Sequence, residues 1–441
     1  MNSKYLRVVM LIALAVIFTT PTTLAEFIHG VQVVDSSGGI GGVRNGSDNI
    51  VLLSETDSIP EDIVSVEMDE FGSVIRADQW QSANRDDLKS ACFAADGSCL
   101  VTGSTIRSGS TDSEQTVFKL DSLSNLSWAR SLDFAMLPGD MFVDSNSAGE
   151  IYTVCELFRP AAAMDLSVTK LASDGTHQWS TTLSDGYFNY WVEGITATSD
   201  GGCLVTGYMG STGLEDGTVF KLSATGTLEW HKQFGFLSEY FGVVKGFESD
   251  GGYLIFGKCP WTDDRGIYMM QLDINGDLLW CKSLVAPGQW IYPYYATKLG
   301  NNEFLTSSSY YDGSENYSLI SRISVDGNNI WSKYLIDGVE YSDSGFYYSS
   351  ELSSGDYLFA GASRPVSQPD SILAAARMST SGEITGCSLL QDIVLQVVDL
   401  TADVQTFTRP VSTASTTVTI EDIASDYTMS PVSTQEFVVC D

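Results

Sequence analysis

Residues 251–284 read GGYLIFGKCPWTDDRGIYMMQLDINGDLLWCKSL. An apolar run ends at Gly257, a second closes on Leu272-Asp273, a turn holds Gly276, and a last run carries Trp280. The same succession returns along nearly the whole chain. Trp128, Trp179, Trp230, Trp280 and Trp331 are separated by 51, 51, 50 and 51 residues, a period that belongs to propeller blades or solenoids. Gly175, Gly226, Gly276 and Gly327 each stand four residues before the Trp, while Asn125 stands three before Trp128. The spacing predicts a tight hairpin in which Gly takes a positive φ, followed by a strand whose indole packs between neighbouring sheets. Burying one such ring removes roughly 150–250 Å² from water, worth at most ~4–6 kcal/mol.

Seven repeats can be counted. The first is degraded, with apolar runs near 49–54 and 64–69 and Arg76 where Trp would stand; the seventh keeps Gly361 and Gly382 but ends at Gly386. In the fifth, four strand candidates are plain: 242–247, 253–257, 267–272 and 278–284. Their β-branched and aromatic residues alternate with Gly, Asn and Asp turns. The expected fold is all-β: a seven-bladed β-propeller of four-stranded antiparallel blades over residues 26–387, with a short β-rich C-terminal extension over 388–441. A propeller has to join its first and last blades. The run FIHGVQVVD at 27–35 is the candidate, either as the first blade's inner strand or as the strand that closes the last blade.

The N-terminus carries Lys4 and Arg7, an apolar run from Val8 to Phe18 and a small-residue exit at Thr23-Leu24-Ala25. It reads as a signal peptide over residues 1–25, too short in its apolar core for a membrane span. The expected location is therefore secreted, cell-surface or periplasmic, with no transmembrane segment after cleavage. The formal charge of −33 argues against nucleic acid as a partner, because a field of that sign repels phosphate.

The unit LDINGDLLWCKSL (272–284), preceded by SDGGYLIFG (249–257), resembles the secreted bacterial β-propeller repeats of the SBBP and delta-60 kind. It is similar, more distantly, to the tryptophan-docking repeat of quinoprotein-like propellers. The resemblance spans roughly residues 45–387 and implies a propeller fold without an assigned activity. Quinoprotein enzymes would also bring a vicinal Cys pair, and no two cysteines are adjacent here.

Nothing in the composition points to a cofactor or a metal. The three histidines, His29, His177 and His231, form no H-E-x-x-H, and G-x-S-x-G is absent. Asp273, Asn275 and Asp277 alternate as calcium ligands do, but other repeats lack the third acid, so a plain turn is favoured. Lys119, Lys170, Lys221, Arg322 and Arg377 share one repeat position, and Arg130, Lys232, Lys282 and Lys333 another. Both sets are expected to be structural ladders paired with acids. Of the eight cysteines, Cys92 and Cys99 flank one hairpin turn and Cys387 and Cys440 bracket the tail, giving two candidate disulfides. Cys155, Cys203 and Cys281 read as buried thiols.

The long loops hold the functional signal. Connections from fourth to first strand and from second to third share one propeller face, and they are aromatic: SDGYFNYW (184–191), PGQWIYPYY (287–295) and PWTDDR (260–265) among them. Rings interleaved with acids and amides suit sugars or peptides. First strands start at this face, so the candidate ligand ring is Tyr190, Trp191, Tyr240, Phe241, Tyr294, Tyr295 and Phe346-Tyr347. Trp261 and Trp290 extend it, and Glu193, Glu239 and Asp343 are its polar partners. Alternation along a strand implies that one residue of each adjacent pair faces the channel and the other packs into a blade. The expected function is an extracellular binding or scaffold module for a glycan or protein ligand. Alternatives are a carbohydrate-active propeller enzyme using Asp or Glu, such as a glycosidase or lyase, or a purely structural cell-envelope component.

Overall fold

The computed structural model describes residues 27–440 except 34–35, 45–47, 57–61, 107–112, 135, 160–163, 187–188, 212–213, 237–241, 259–264, 337–344, 364–371, 402–403, 408–409 and 433. The expected signal peptide lies outside the described residues. The chain forms seven antiparallel sheets around one axis. Blade 4 is typical: Asn189–Ala197 innermost, then Cys203–Ser211, Leu214–Leu222 and Leu228–Phe236. Inner strands of successive blades meet side by side around the channel. Among the described residues, no helix is long and apolar enough to cross a membrane.

The core is divided among the clefts between blades. One apolar cluster joins Tyr152, Val154 and Val168 of blade 3 to Tyr190, Val205 and Phe220 of blade 4, and six others repeat the arrangement around the ring. The repeat Trp spans each cleft. Trp179 donates its indole N–H to the Ala224 carbonyl (2.9 Å) in the next blade's turn, Trp230 to Ile274 (3.1 Å) and Trp331 to Thr380 (3.2 Å). Gly226 in that turn has φ +78°, and a Cβ there would meet the Trp179 ring at 2.7 Å. Glycine thus supplies both the backbone conformation and the space for docking. In blade 2 the position is filled by Ser124, with φ +58°, and not by the out-of-phase Asn125. In blade 1, Arg76 replaces Trp yet does the same work, donating to the Leu123 carbonyl (3.0 Å) of the next turn.

The basic ladder is paired as expected. Lys119–Asp96, Lys170–Glu150, Lys221–Asp200, Arg322–Glu303 and Arg377–Asp356 are one ion pair repeated in five blades. Arg377 also donates to the Glu70 carbonyl (2.7 Å), linking blade 7 to blade 1. Ring closure is completed by the N-terminal strand: Phe27–Val33 pairs with Ile372–Met378 as the fourth strand of blade 7. The second of the two sequence expectations for this segment therefore holds, and Ser36–Arg44 is the first blade's inner strand.

The C-terminal extension is β-rich, but it is not a compact appendage. It runs once around the propeller against the order of the blades, adding a fifth strand to each. Leu390–Asp392 pairs with blade 6, Gln396–Asp399 with blade 5, Val404–Phe407 with blade 4 and Ser412–Ser415 with blade 3. Thr419–Asp422, Thr428–Pro431 and Thr434–Cys440 follow on blades 2, 1 and 7. Between these strands an apolar residue enters each cleft from outside: Leu389, Leu395, Leu400, Val411, Val418, Ile423 and Val432 in turn. The backbone is anchored in register with the repeat. N–H groups of Ile393, Leu400, Thr416, Ile423 and Val432 donate to the carbonyls of Ser332, Cys281, Ser180, Ala129 and Ala77, each the residue after the repeat Trp or, in blade 1, Arg76. Belt acids also meet the second basic ladder: Arg130 pairs with Asp422 (2.9 Å) and Lys333 with Asp392 (2.7 Å).

The cysteine expectations divide. Cys92 and Cys99 do not pair; both are free thiols. The register sets Cys92 opposite Leu100 and Cys99 opposite Phe93, so the side chains leave opposite faces of blade 2 and join different clefts. Cys155, Cys203 and Cys281 are buried free thiols. The side chain of Cys440 lies outside those described.

The belt gives a stability prediction. Leu395 is 5% exposed in the cleft between blades 5 and 6 and its neighbour Val394 is 84% exposed. Leu395→Ala is expected to cost about 2–4 kcal/mol by denaturant unfolding, and Val394→Ala less than about 0.5 kcal/mol. Equal, near-zero effects would mean that the tail does not seal the cleft.

Candidate functional site: the channel mouth

A β-bulge interrupts the inner strand at corresponding positions. The register slips between Leu88 and Ser90, Val192 and Gly194, Val243 and Lys245, Pro293 and Tyr295, and Phe346 and Tyr348. One extra residue per strand is left unpaired there and turned out of the ladder. Lys89, Glu193, Val244 and Tyr294 occupy these positions and line one chamber of about 280 Å³ with Phe142, Tyr295 and Tyr348. A second chamber, about 380 Å³, shares Ala91, Lys245, Tyr295 and Tyr348 with the first and includes Asp144, Thr196, Thr297, Lys298 and Ser350. Inner strands start at the loop-rich face, so residue order gives depth. The first chamber lies towards that face, the second is deeper, and Tyr295, Tyr348 and Lys245 form the waist between them. The two tyrosine rings are 4.8 Å apart.

The clearest feature of the mouth is on Trp290–Lys298. Ile291 and Pro293 are buried, while Trp290 and Tyr294 are exposed and Tyr292 is half-buried. Alternate side chains thus put Trp290, Tyr292 and Tyr294 on one face as a track entering the channel. Tyr292 and Tyr294 are 5.5 Å apart, and Trp290 packs 5.3 Å from Tyr311 on the next strand. Blade 5 supplies a cation along the track: the Arg265 guanidinium 3.5 Å from the Trp290 ring, Lys258 4.9 Å from Tyr292 and Lys245 5.8 Å from Tyr295.

The expected ring is brought together only in part. Trp290 and Tyr294 lie on the track, and Glu193 and Tyr295 line the first chamber. Trp191 is half-buried and stacks on Tyr208 at 5.0 Å. Tyr190 is fully buried in the cleft against Phe220, so it is a core residue, as alternation requires of one member of that pair. The alternation rule fails at Tyr294 and Tyr295, both of which line the chamber, because the bulge resets the parity between them. Tyr240, Phe241, Glu239, Trp261 and Asp343 lie outside the described residues, as do the side chains of Phe346 and Tyr347. Sequence reasoning missed Tyr292, Tyr348, Lys245, Lys258 and Arg265. Tyr292 was legible in the i, i+2, i+4 spacing of WIYPY. The Asp273 carboxylate accepts N–H bonds from Asn275 (2.8 Å) and Asp277 (2.9 Å), the plain turn expected for that run.

Two acids shape the electrostatics. Glu193 pairs with Lys258, whose ammonium burial disfavours but whose pKa Glu193 and Tyr292 raise on balance. Glu156 is 3% exposed and accepts the N–H of Val192 (2.9 Å) and of Asp140 (3.3 Å), tying together the inner strands of blades 3 and 4. Burial pushes its carboxyl up to about 7, against the Val192 bond that favours the charge, with Asp140 and Glu193 adding repulsion.

No protein-family model and no curated protein sequence matches the chain. Solved structures are similar to it only remotely. A protein of unknown function from Dyadobacter fermentans is 10% identical, with 79% of this chain and 99% of that chain covered and a TM-score of 0.45. The NanB sialidase of Streptococcus pneumoniae is 11% identical (83% and 71% covered, TM-score 0.41). A subtype N10 neuraminidase-like protein of A/little yellow-shouldered bat/Guatemala/060/2010 is 14% identical (68% and 98% covered, TM-score 0.40). The seven blades are established by the chain's own sheets, and likeness at this level carries no function.

Glu156 yields a pH prediction. Its folded pKa, about 7, exceeds the ordinary 4.5, so its contribution to stability is full below about pH 4.5. That contribution is lost as pH rises to about 7 and constant above, a fall of up to about 3 kcal/mol. Glu156→Gln is expected to remove this slope, so the Tm difference between variant and wild type changes across pH 4.5–7 and is flat from pH 7.5 to 9. A difference independent of pH throughout would show that folding leaves the Glu156 carboxyl at its ordinary pKa.

Proposed function

We propose that the protein is a secreted binding module, similar in its repeats to SBBP and delta-60 propellers, that docks a carbohydrate chain at the mouth of its channel. The observation that carries this reading is the Trp290, Tyr292 and Tyr294 track. Rings two residues apart on a strand repeat every ~6.6–6.8 Å, and they lead from the exposed face into a chamber edged by Lys89, Glu193 and Lys245. Sugar rings have apolar faces that stack on aromatics and hydroxyls that bond to such edges. A binding role is favoured over a hydrolytic one because the acid with the most suitable pKa, Glu156, turns its carboxylate into the Val192 and Asp140 N–H groups. Export and a Cys387–Cys440 bond fixing the end of the belt belong to the same proposal.

A glycan array probed with the purified protein tests it. For a glycan retained there, Tyr294→Ala is expected to weaken binding about 5–20-fold by calorimetry, or ~1–2 kcal/mol, with Tm unchanged. Unaltered affinity in both Tyr294→Ala and Trp290→Ala moves the site off this face, and release of reducing sugar favours the enzyme reading.

A further inference from the structure

The track ends at a positive charge inside a strongly negative protein. The chain carries a formal −33, yet Lys245 stands at the channel's waist and lines both chambers. Its ammonium donates to the Ile195 carbonyl (2.9 Å) and lies 5.8 Å from the Tyr295 ring. An ammonium has three N–H donors, and that carbonyl takes one. None of the ion pairs found among the described residues involves Lys245, in contrast to Lys258, which is neutralised by Glu193. The facing acid of the lower chamber is Asp144, which accepts the Ala197 N–H (2.9 Å); burial raises its carboxyl on balance, against the nearby Lys245 charge and that hydrogen bond, which lower it. Deeper in the same chamber Lys298 donates to the Glu248 carbonyl (2.6 Å). The first blade's inner strand, SSGGIGGVR, contains no acid.

We infer that the carbohydrate taken by this mouth is an acidic one, a chain of carboxylate-bearing sugars. A ring stacks on Tyr294 and Tyr292 while the carboxylate ahead of it is seated on the Lys245 ammonium between the two chambers. This rests on the carbohydrate reading above and adds the charge of the ligand. An anion is repelled by the body of the protein and gains only where the channel walls exclude water around an ammonium that has N–H donors to spare and whose one facing acid, Asp144, is biased by burial towards its neutral form. Lys245 therefore acts as a selectivity filter for chains that can thread a carboxylate to the waist.

The test is calorimetric titration of the full chain with a galacturonic acid tetramer and with its fully methyl-esterified, neutral counterpart. The acid is expected to bind at least about tenfold more tightly at low salt, and the advantage to shrink in 0.5 M NaCl. Lys245→Gln keeps a donor for the Ile195 carbonyl without the charge; it should erase the preference, so that acid and ester bind the variant within about twofold of one another. Lys245→Met should do the same, so a folding defect in one variant leaves the other as the readout. Equal binding of acid and ester would overturn the inference and leave the carbohydrate reading standing. Binding of neither tetramer, with or without binding of a glutamate-rich peptide, would overturn both.

Discussion

A four-stranded antiparallel blade has two faces to bury, and its own hydrogen bonds do nothing to hold it to the next blade. The apolar layer shared across each of seven clefts does that, and every other feature of the molecule depends on it. Trp179, Trp230 and Trp331 cross the cleft to the following blade's glycine turn, and the lysine or arginine ladder of the third strands is paired with acids at the first-to-second-strand turns. The cleft remains open on its outer side, where a fourth strand leaves an unpaired edge. The tail closes it. Leu395 and Ile423 are buried from that side, while the strands between the plugs cover the edges.

The belt and the channel serve opposite ends of the same construction. Because stability is located in the clefts and at the rim, the inner strands are free to carry bulges and polar residues at the axis. Among the described side chains, four of the bulges turn one residue each into the lumen, and the set is chemically mixed: Lys89, Glu193, Val244 and Tyr294. Links across the channel wall are made from side chain to neighbouring backbone, as in Thr196 to Gly246 (2.7 Å) and Thr297 to Ser349 (2.7 Å).

The fold was legible because its determinants repeat. The Trp interval, the glycine four residues before it and the basic position in the third strand each have one physical cause recurring blade by blade. Ser124 and Arg76 escaped the pattern, since one residue type was replaced by another meeting the same requirement. The belt was not legible as a belt. Its strands are three to seven residues long, and its apolar plugs follow the spacing of the clefts, with no repeat of their own to give them away. For the site, alternation required one member of each adjacent pair to pack into a blade, and at the first pair that member is Tyr190. It misjudged Tyr295 because a bulge is a register event between two strands and leaves no residue signature in either.

Hydrogen exchange of the full-length protein, followed by mass spectrometry on peptides from 389–432, tests the central claim most directly. If the belt is part of the cooperative structure, its amides exchange as slowly as those of the fourth strands it covers, through the same global opening. Exchange of the belt within seconds, while the blades stay protected, would contradict the account and reduce the tail to a loosely held wrap.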